Sequence, residues 1–134
     1  MASAWETISN NRRRETRYKV RLTASVSIVE EAEENQWPTV LAYTRDVSRE
    51  GMCLVMPSSR MGCHNLEEAN HVLRVILVLP SGVSIGLECQ LVYCTTYTAE
   101  SEAGYLAGVK ITEINLEDRT VYNELIDGYQ DSRN

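Results

Sequence analysis

The chain has 134 residues, of which 43% are hydrophobic and 24% are charged, and its formal net charge at pH 7 is −6. This length suits one domain, and this composition is typical of a folded protein and not of a disordered one. A net-acidic chain is not expected to coat DNA, because most of its surface would repel a polyphosphate.

The first eleven residues, MASAWETISNN, are predicted to form a flexible N-terminal tail. They lack the basic stretch followed by an apolar stretch that marks a signal peptide. The longest apolar run, VLRVILVLP at residues 72–80, is interrupted by Arg74 and is well short of the roughly 20 residues that cross a bilayer. We therefore expect a cytoplasmic protein without a membrane span.

A dense basic segment follows, from residue 12 to residue 21. Six basic side chains stand against the single acid Glu15 and give a net charge of +5, so the remainder of the chain carries −11. Positive charge at this density suits a compact anion. For this segment alone, a solubilising tail or a nonspecific anion-binding patch is an equal alternative.

Most of the chain then alternates between apolar and polar residues, which predicts half-buried strands. The predicted strands are the segments 18–28, 39–46, 52–57, 71–80, 83–94 and 105–114, of which 52–57 is a short apolar run. Ser81 and Gly82 form a turn signal that joins the fourth and fifth of these segments into a hairpin. Polar residues predict a long excursion at 57–70 and a connection at 98–104.

After the last strand the apolar period changes to that of a helix. Asn115 is a favourable N-cap with Asp118 three residues later, and an apolar stripe runs through Tyr122, Leu125, Ile126 and Tyr129. We predict a helix at about residues 116–129 that packs on the sheet, followed by a short tail at 130–134. Six antiparallel strands with one C-terminal α-helix predict a mainly β protein. We expect its sheet to close into a barrel, because closure removes exposed strand edges.

No metal centre or catalytic site is predicted. The candidate metal ligands and nucleophiles are Cys53, Cys63, Cys89, Cys94, His64 and His71. No two cysteines have the Cys-x-x-Cys spacing of a zinc or redox site, and no Gly-x-Ser-x-Gly turn accompanies the histidines. We expect free thiols, no bound cofactor and no enzymatic activity.

The segment RDVSREGM, at residues 45–52, lies between the second and third predicted strands. Asp46, Ser48 and Gly51 in this order, after Arg13 and Arg17, resemble the PilZ domain family, whose marks are R-x-x-x-R and [DN]-x-S-x-x-G. The resemblance implies a six-stranded antiparallel PilZ-like barrel that ends near residue 114, within a domain of residues 12–129. It also implies a receptor for the bacterial second messenger cyclic di-GMP.

The chemistry of that ligand suits these residue types. Its two phosphodiester groups and the O6 and N7 acceptors of its guanines all accept the planar N–H fork of arginine, so Arg13 and Arg17 are the expected primary ligands. Asp46 and Ser48 are expected to read the guanine. Gly51 is expected to allow a positive φ or a close backbone approach where a side chain would obstruct the base.

Three further side chains belong to the predicted ligand site. Arg13 and Arg17 already supply two guanidiniums for the two phosphodiester charges of one ligand, so Arg12 and Arg14 are in surplus. This surplus predicts two mutually intercalated cyclic di-GMP molecules per chain. The resemblance points the same way, because PilZ-like domains with arginine just before R-x-x-x-R look like binders of a ligand dimer. Tyr93 lies where some relatives place an aromatic residue near the ligand.

Alternatives remain for the motif and for the function. D-x-S-x-x-G is also ordinary turn chemistry, in which Asp and Ser bond the local backbone. A ligand-independent adaptor of the same fold is the second hypothesis, and a basic-arm RNA binder, with few aromatic residues near the arginines, is the third. In the first hypothesis, ligand binding orders the arginine-rich segment and the signal passes to an unidentified downstream protein.

Overall fold

The structure, a computed structural model, describes residues 16–29, 39–61, 64–67, 71–99 and 102–133. The strands and the helix of these ranges are β1 Thr23–Ile28, β2 Thr39–Val47, β3 Gly51–Met56, β4 Arg60–Met61, β5 His64–Asn65, β6 Val72–Val78, β7 Ser84–Ala99, β8 Glu102–Ile114 and α1 Leu116–Arg133. None of the helical residues among them forms a span long and apolar enough to cross a membrane.

Six strands close into a barrel in the order β1-β2-β3-β8-β7-β6, and every neighbouring pair is antiparallel. β1 pairs with both β2 and β6, which closes the sheet on itself. The prediction of a six-stranded antiparallel barrel with a C-terminal helix is confirmed. The excursion at 57–70 contains the small ladder between β4 and β5.

The alternating pattern sorts side chains between the barrel interior and its outer face. In β6, Leu73, Val75 and Leu77 are fully buried, and the residues between them point outward and are exposed. Each fully buried aliphatic side chain contributes about 1.5–3 kcal/mol. The buried residues of the strands form one continuous core, to which β3 contributes without alternation, since all six of its residues are buried.

Helix α1 packs against this core. Its N-cap is the predicted one, since the side chain of Asn115 accepts a hydrogen bond from the backbone N–H of Asp118 at 2.8 Å. Tyr122 and Ile126 are buried in the core cluster. The helix continues four residues past its predicted end at 129, because residues 130–133 contain no Gly or Pro to stop it.

Two strand boundaries differ from the prediction. β1 begins at Thr23 and not at Tyr18, because the segment before it bonds to β2 through the side chain of Thr44, whose hydroxyl accepts from Leu22 N–H and donates to the carbonyl of Val20. The polar connection predicted at 98–104 is shorter in the structure, since β7 runs to Ala99 and β8 starts at Glu102. Four consecutive β-branched and aromatic residues at 95–98 favour strand here.

Candidate functional site

A short backbone bridge brings the two sequence motifs together. Tyr18 exchanges hydrogen bonds with Val47, at 2.8 and 3.0 Å, so the end of the basic segment lies beside the end of β2. Because Tyr18 is buried against the core, its neighbour Arg17 points outward. Arg17 Nη1 then reaches Asp46 Oδ1 at 2.8 Å, across 29 positions of sequence.

The strand register places one residue from each of four neighbouring strands in a single row. Asp46 pairs with Cys53, Cys53 with Gly108, and Gly108 with Tyr93, which together form a row across β2, β3, β8 and β7. The neighbours of Cys53 and Gly108 along their strands belong to the core, so this outer row faces away from the barrel interior.

A β-bulge in β2 adds an arginine to this row. The register with β3 shifts between Thr44 and Asp46, which leaves Arg45 as the extra residue. Arg45 Nε donates to Asp46 Oδ2 at 3.1 Å, so each carboxylate oxygen accepts from a different guanidinium. The Asp46 side chain is only 6% exposed, whereas those of Arg17 and Arg45 are 48% and 45% exposed.

The ring of Tyr93 lies directly on Gly108. A Cβ at position 108 would overlap three ring atoms of Tyr93, so only glycine allows this position of the ring. The tyrosine hydroxyl lies 3.6 Å from Cys53 Sγ, and 46% of the residue is exposed. The result is a flat aromatic surface on the outside of the barrel, with its hydroxyl directed toward β3.

Burial sets the protonation of this surface. Desolvation and the hydrogen bond to Cys53 raise the pKa of Tyr93 to about 12. Desolvation also raises the pKa of the Cys53 thiol. Both groups are therefore neutral near pH 7, and neither offsets the positive charge of Arg17 and Arg45.

The loop between β2 and β3 is closed by its own residues. The backbone N–H of Ser48 donates to Gly51 O at 2.9 Å, and the Ser48 hydroxyl donates to the same oxygen at 3.2 Å. The φ of Gly51 is not positive, but a Cβ there would overlap the carbonyl oxygen of Val109. Glycine at position 51 therefore permits a close approach of β8.

Helix α1 holds this loop from the other side. Tyr122 Oη donates to the carbonyl of Ser48 at 2.5 Å, in a buried hydrogen bond. Arg49 forms an ion pair with Asp127 and a hydrogen bond at 3.3 Å with Gln130. The loop that carries the D-x-S-x-x-G motif is thus bonded directly to the C-terminal helix.

The structure brings five predicted site residues to this part of the barrel: Arg17, Asp46, Ser48, Gly51 and Tyr93. Arg12, Arg13 and Arg14 lie outside the described residues. The sequence reasoning missed Arg45 and Gly108. The one sequence signal for Arg45 is its position directly before the motif aspartate. Strict alternation, however, would place these two adjacent residues on opposite faces of the sheet.

The other candidate groups do not assemble in the described ranges. Cys53, Cys89 and Cys94 are free thiols, and Cys63 and the side chain of His64 are not among the groups described. Among the described residues, no three His, Cys, Asp or Glu side chains cluster as metal ligands would.

Comparison with known proteins gives a family and a fold. The sequence model of the PilZ domain family matches residues 11–128. No functionally curated protein matches the sequence significantly. Three solved structures share the fold, at sequence identities too low to show more than the fold.

The first of these is the Bacillus subtilis inhibitor of motility MotI/DgrA, with a TM-score of 0.60, 18% identity, and coverage of 92% of this chain and 53% of that one. The second is the PilZ domain of YcgR from Escherichia coli with c-di-GMP, with a TM-score of 0.65, 10% identity, and coverage of 91% and 94%. The third is the K. pneumonia MrkH–c-di-GMP complex, with a TM-score of 0.61, 18% identity, and coverage of 90% and 53%. This chain thus spans about half the length of MotI and MrkH.

Proposed function

The chain belongs to the PilZ domain family, and from this premise we propose that it is a receptor for cyclic di-GMP. The observation that carries the proposal is the ion pair between Arg17 and Asp46 at 2.8 Å. This contact joins the R-x-x-x-R motif to the D-x-S-x-x-G motif on the outer face of the barrel. Two partly exposed guanidiniums and an exposed aromatic ring meet there, which suits a ligand with phosphates and purines.

Each motif residue has a physical task in this proposal. Arg13 and Arg17 bind phosphodiester oxygens through their N–H forks. Asp46 holds two guanidiniums in place and offers its remaining lone pairs to guanine N–H groups. Ser48 and Gly51 keep the loop closed beside the ligand, and Tyr93 supplies a surface on which a base stacks.

The number of ligands follows from the surplus of arginines. Two intercalated cyclic di-GMP molecules bring four phosphodiester charges and stacked guanine faces. Arg12 and Arg14 then provide the additional guanidiniums, which both neutralise phosphate and stack on bases. We propose a stoichiometry of two ligands per chain.

The output of the receptor passes to another protein in the cytoplasm. Ligand binding orders the arginine-rich segment against the loop of Ser48, and that loop is bonded to α1 through Tyr122. An unidentified downstream protein then reads the changed surface. MrkH is described as a c-di-GMP-dependent transcription regulatory factor and MotI as an inhibitor of motility, so PilZ folds serve different outputs.

A ligand-independent adaptor of the same fold is the second candidate. It is favoured by the state of the motif residues, which already have internal partners. Both oxygens of Asp46 accept from arginines, and the hydroxyl of Ser48 donates within its own loop. In such an adaptor, the motifs would serve only to hold the loop and the N-terminal segment in place.

Calorimetric titration of the full chain with cyclic di-GMP separates the two candidates, with GTP and cyclic GMP as control ligands. We expect binding of cyclic di-GMP alone. Arg17→Ala should weaken it by at least about 10-fold, because a charge-assisted hydrogen bond is lost. Arg13→Ala should behave in the same way.

The matched control is Arg74→Ala, an arginine of similar side-chain exposure on the outer face of β6. We expect its affinity to equal that of the wild type. No binding of cyclic di-GMP by the wild type would favour the adaptor. Unchanged affinity in Arg17→Ala would contradict the site assignment.

A further inference from the structure

The β-bulge in β2 supplies a guanidinium that belongs to neither sequence motif. In a regular strand, Arg45 and Asp46 would point to opposite faces of the sheet. Because Arg45 is the extra residue of the bulge, its side chain stays on the outer side and bonds Asp46 at 3.1 Å. Bulges are often found beside functional sites because they redirect a side chain in this way.

The contact with Asp46 orients the guanidinium without using all of its donors. Only Nε of Arg45 takes part, and within the described ranges neither Nη has a hydrogen-bond partner. The two Nη groups form a planar fork of N–H donors, and the side chain is 45% exposed. The fork is therefore available to a ligand and is held at a fixed angle by the carboxylate.

The fork lies close to the hydroxyl edge of the aromatic surface. Asp46 is the cross-strand partner of Cys53, and Cys53 Sγ lies 3.6 Å from Tyr93 Oη. The ring of Tyr93 rests on Gly108, so a base stacked on the ring lies parallel to the sheet surface. Such a base presents one of its edges to the guanidinium that Asp46 holds.

We propose, on the basis of the proposed function, that Arg45 reads the O6 and N7 edge of a guanine that stacks on Tyr93. The match is geometric, because two parallel N–H groups meet two neighbouring acceptors. Adenine presents a donor in place of O6 and does not match the fork. Arg45 therefore selects guanine, whereas Arg17 binds phosphate.

The test is a calorimetric cycle with two ligands and the full-length chain. The ligands are cyclic di-GMP and its analogue in which carbon replaces N7 of both guanines. We expect the wild type to bind the analogue about 10-fold more weakly, because one charge-assisted hydrogen bond is lost. Arg45→Gln should bind cyclic di-GMP about 10- to 100-fold more weakly than the wild type and should no longer distinguish the two ligands.

Two further variants keep the test decisive. Arg45→Lys retains the charge beside Asp46 but lacks the fork, so it should also lose the discrimination at N7, and it replaces Arg45→Gln if that variant does not fold. Arg74→Gln removes an equally exposed arginine on β6 and should behave as the wild type.

The outcomes separate this inference from the proposed function. If the wild type binds cyclic di-GMP and Arg45→Gln retains the discrimination at N7, Arg45 contacts phosphate or nothing and the inference is overturned. Equal affinity of the wild type for both ligands also overturns it. If the wild type does not bind cyclic di-GMP, the proposed function fails and this assignment fails with it.

Discussion

At the scale of single residues, the contacts of Asp46 decide the geometry of the site. Its carboxylate is almost fully buried and accepts from Arg17 through one oxygen and from Arg45 through the other. A buried carboxylate needs such partners, because an unpaired charge away from water is costly. The same bonds hold two guanidiniums at fixed positions, so that less side-chain freedom is lost when a ligand binds.

Gly108 is the second residue with a defined task, and it can be tested without any ligand. Gly108→Ala would place a Cβ only 2.2 Å from the nearest ring carbon of Tyr93 and force the ring away from the sheet. We expect a loss of about 1–3 kcal/mol in the free energy of unfolding, as for other overpacked sites. Denaturant unfolding measures this loss. In the Tyr93→Ala background, the same substitution should cost much less.

The matched control for this prediction is Gly86→Ala. Gly86 also lies in a barrel strand, but a Cβ there would meet only Arg74 Nη1, at an ordinary 3.8 Å. We expect little change in its unfolding free energy. An equal cost of Gly108→Ala with and without the Tyr93 ring would refute the role of Gly108 as the support of that ring.

At the scale of secondary-structure elements, the loop between β2 and β3 and helix α1 act as one unit. The loop closes through the two hydrogen bonds to Gly51 O, and the helix reaches it through Tyr122 and Arg49. The exposed ion pair of Arg49 with Asp127 contributes little to stability, as is usual at a surface. The buried hydrogen bond from Tyr122 is the stronger connection.

Tyr122→Phe tests that connection. The substitution keeps the ring in the core but leaves the carbonyl of Ser48 without this donor. We expect a loss of about 1–3 kcal/mol in unfolding free energy, since the buried hydrogen bond between Tyr122 and the carbonyl of Ser48 is removed. We also expect weaker binding of cyclic di-GMP, because the loop is less well held.

Denaturant unfolding and calorimetry measure the two effects. Tyr97→Phe is the control, because within the described residues the Tyr97 hydroxyl has no hydrogen-bond partner, and both quantities should stay at the wild-type values. Tyr122→Phe with wild-type stability and affinity would show that the helix does not support the loop.

At the scale of the whole molecule, a closed barrel of net-acidic composition carries a basic site on its outer face. One core cluster fills the interior, and it includes Tyr122 and Ile126 of the helix. In the proposed function, the ligand therefore binds on the outside of the barrel. The acidic remainder of the chain confines attraction for anions to the site itself.

The stoichiometry of binding is a property of the whole complex. We expect two cyclic di-GMP molecules per wild-type chain and one in Arg12→Leu, because the variant lacks a guanidinium for the second ligand. Calorimetry at saturating ligand, at low and at high salt, measures both values. If Arg12 only increases long-range attraction, the effect of the variant should fade with salt and the stoichiometry should not change. One ligand per wild-type chain would contradict this prediction.

The sequence by itself determined the features that depend on local patterns. Alternation predicted the barrel strands, the N-cap Asn115 and its apolar stripe predicted the helix, and the motifs at Arg13–Arg17 and Asp46–Gly51 indicated the family. Each of these signals lies within a few residues, where backbone geometry fixes the direction of every side chain.

Only the tertiary structure decided how the outer row is assembled. The place of Arg45 depends on a bulge, and one extra residue reverses the face that alternation predicts. Gly108 supports Tyr93 because the register of β7 with β8 makes them partners, and that register also shifts between Leu91 and Tyr93. Such pairings are fixed by packing across strands that are distant in sequence, and no local pattern records them.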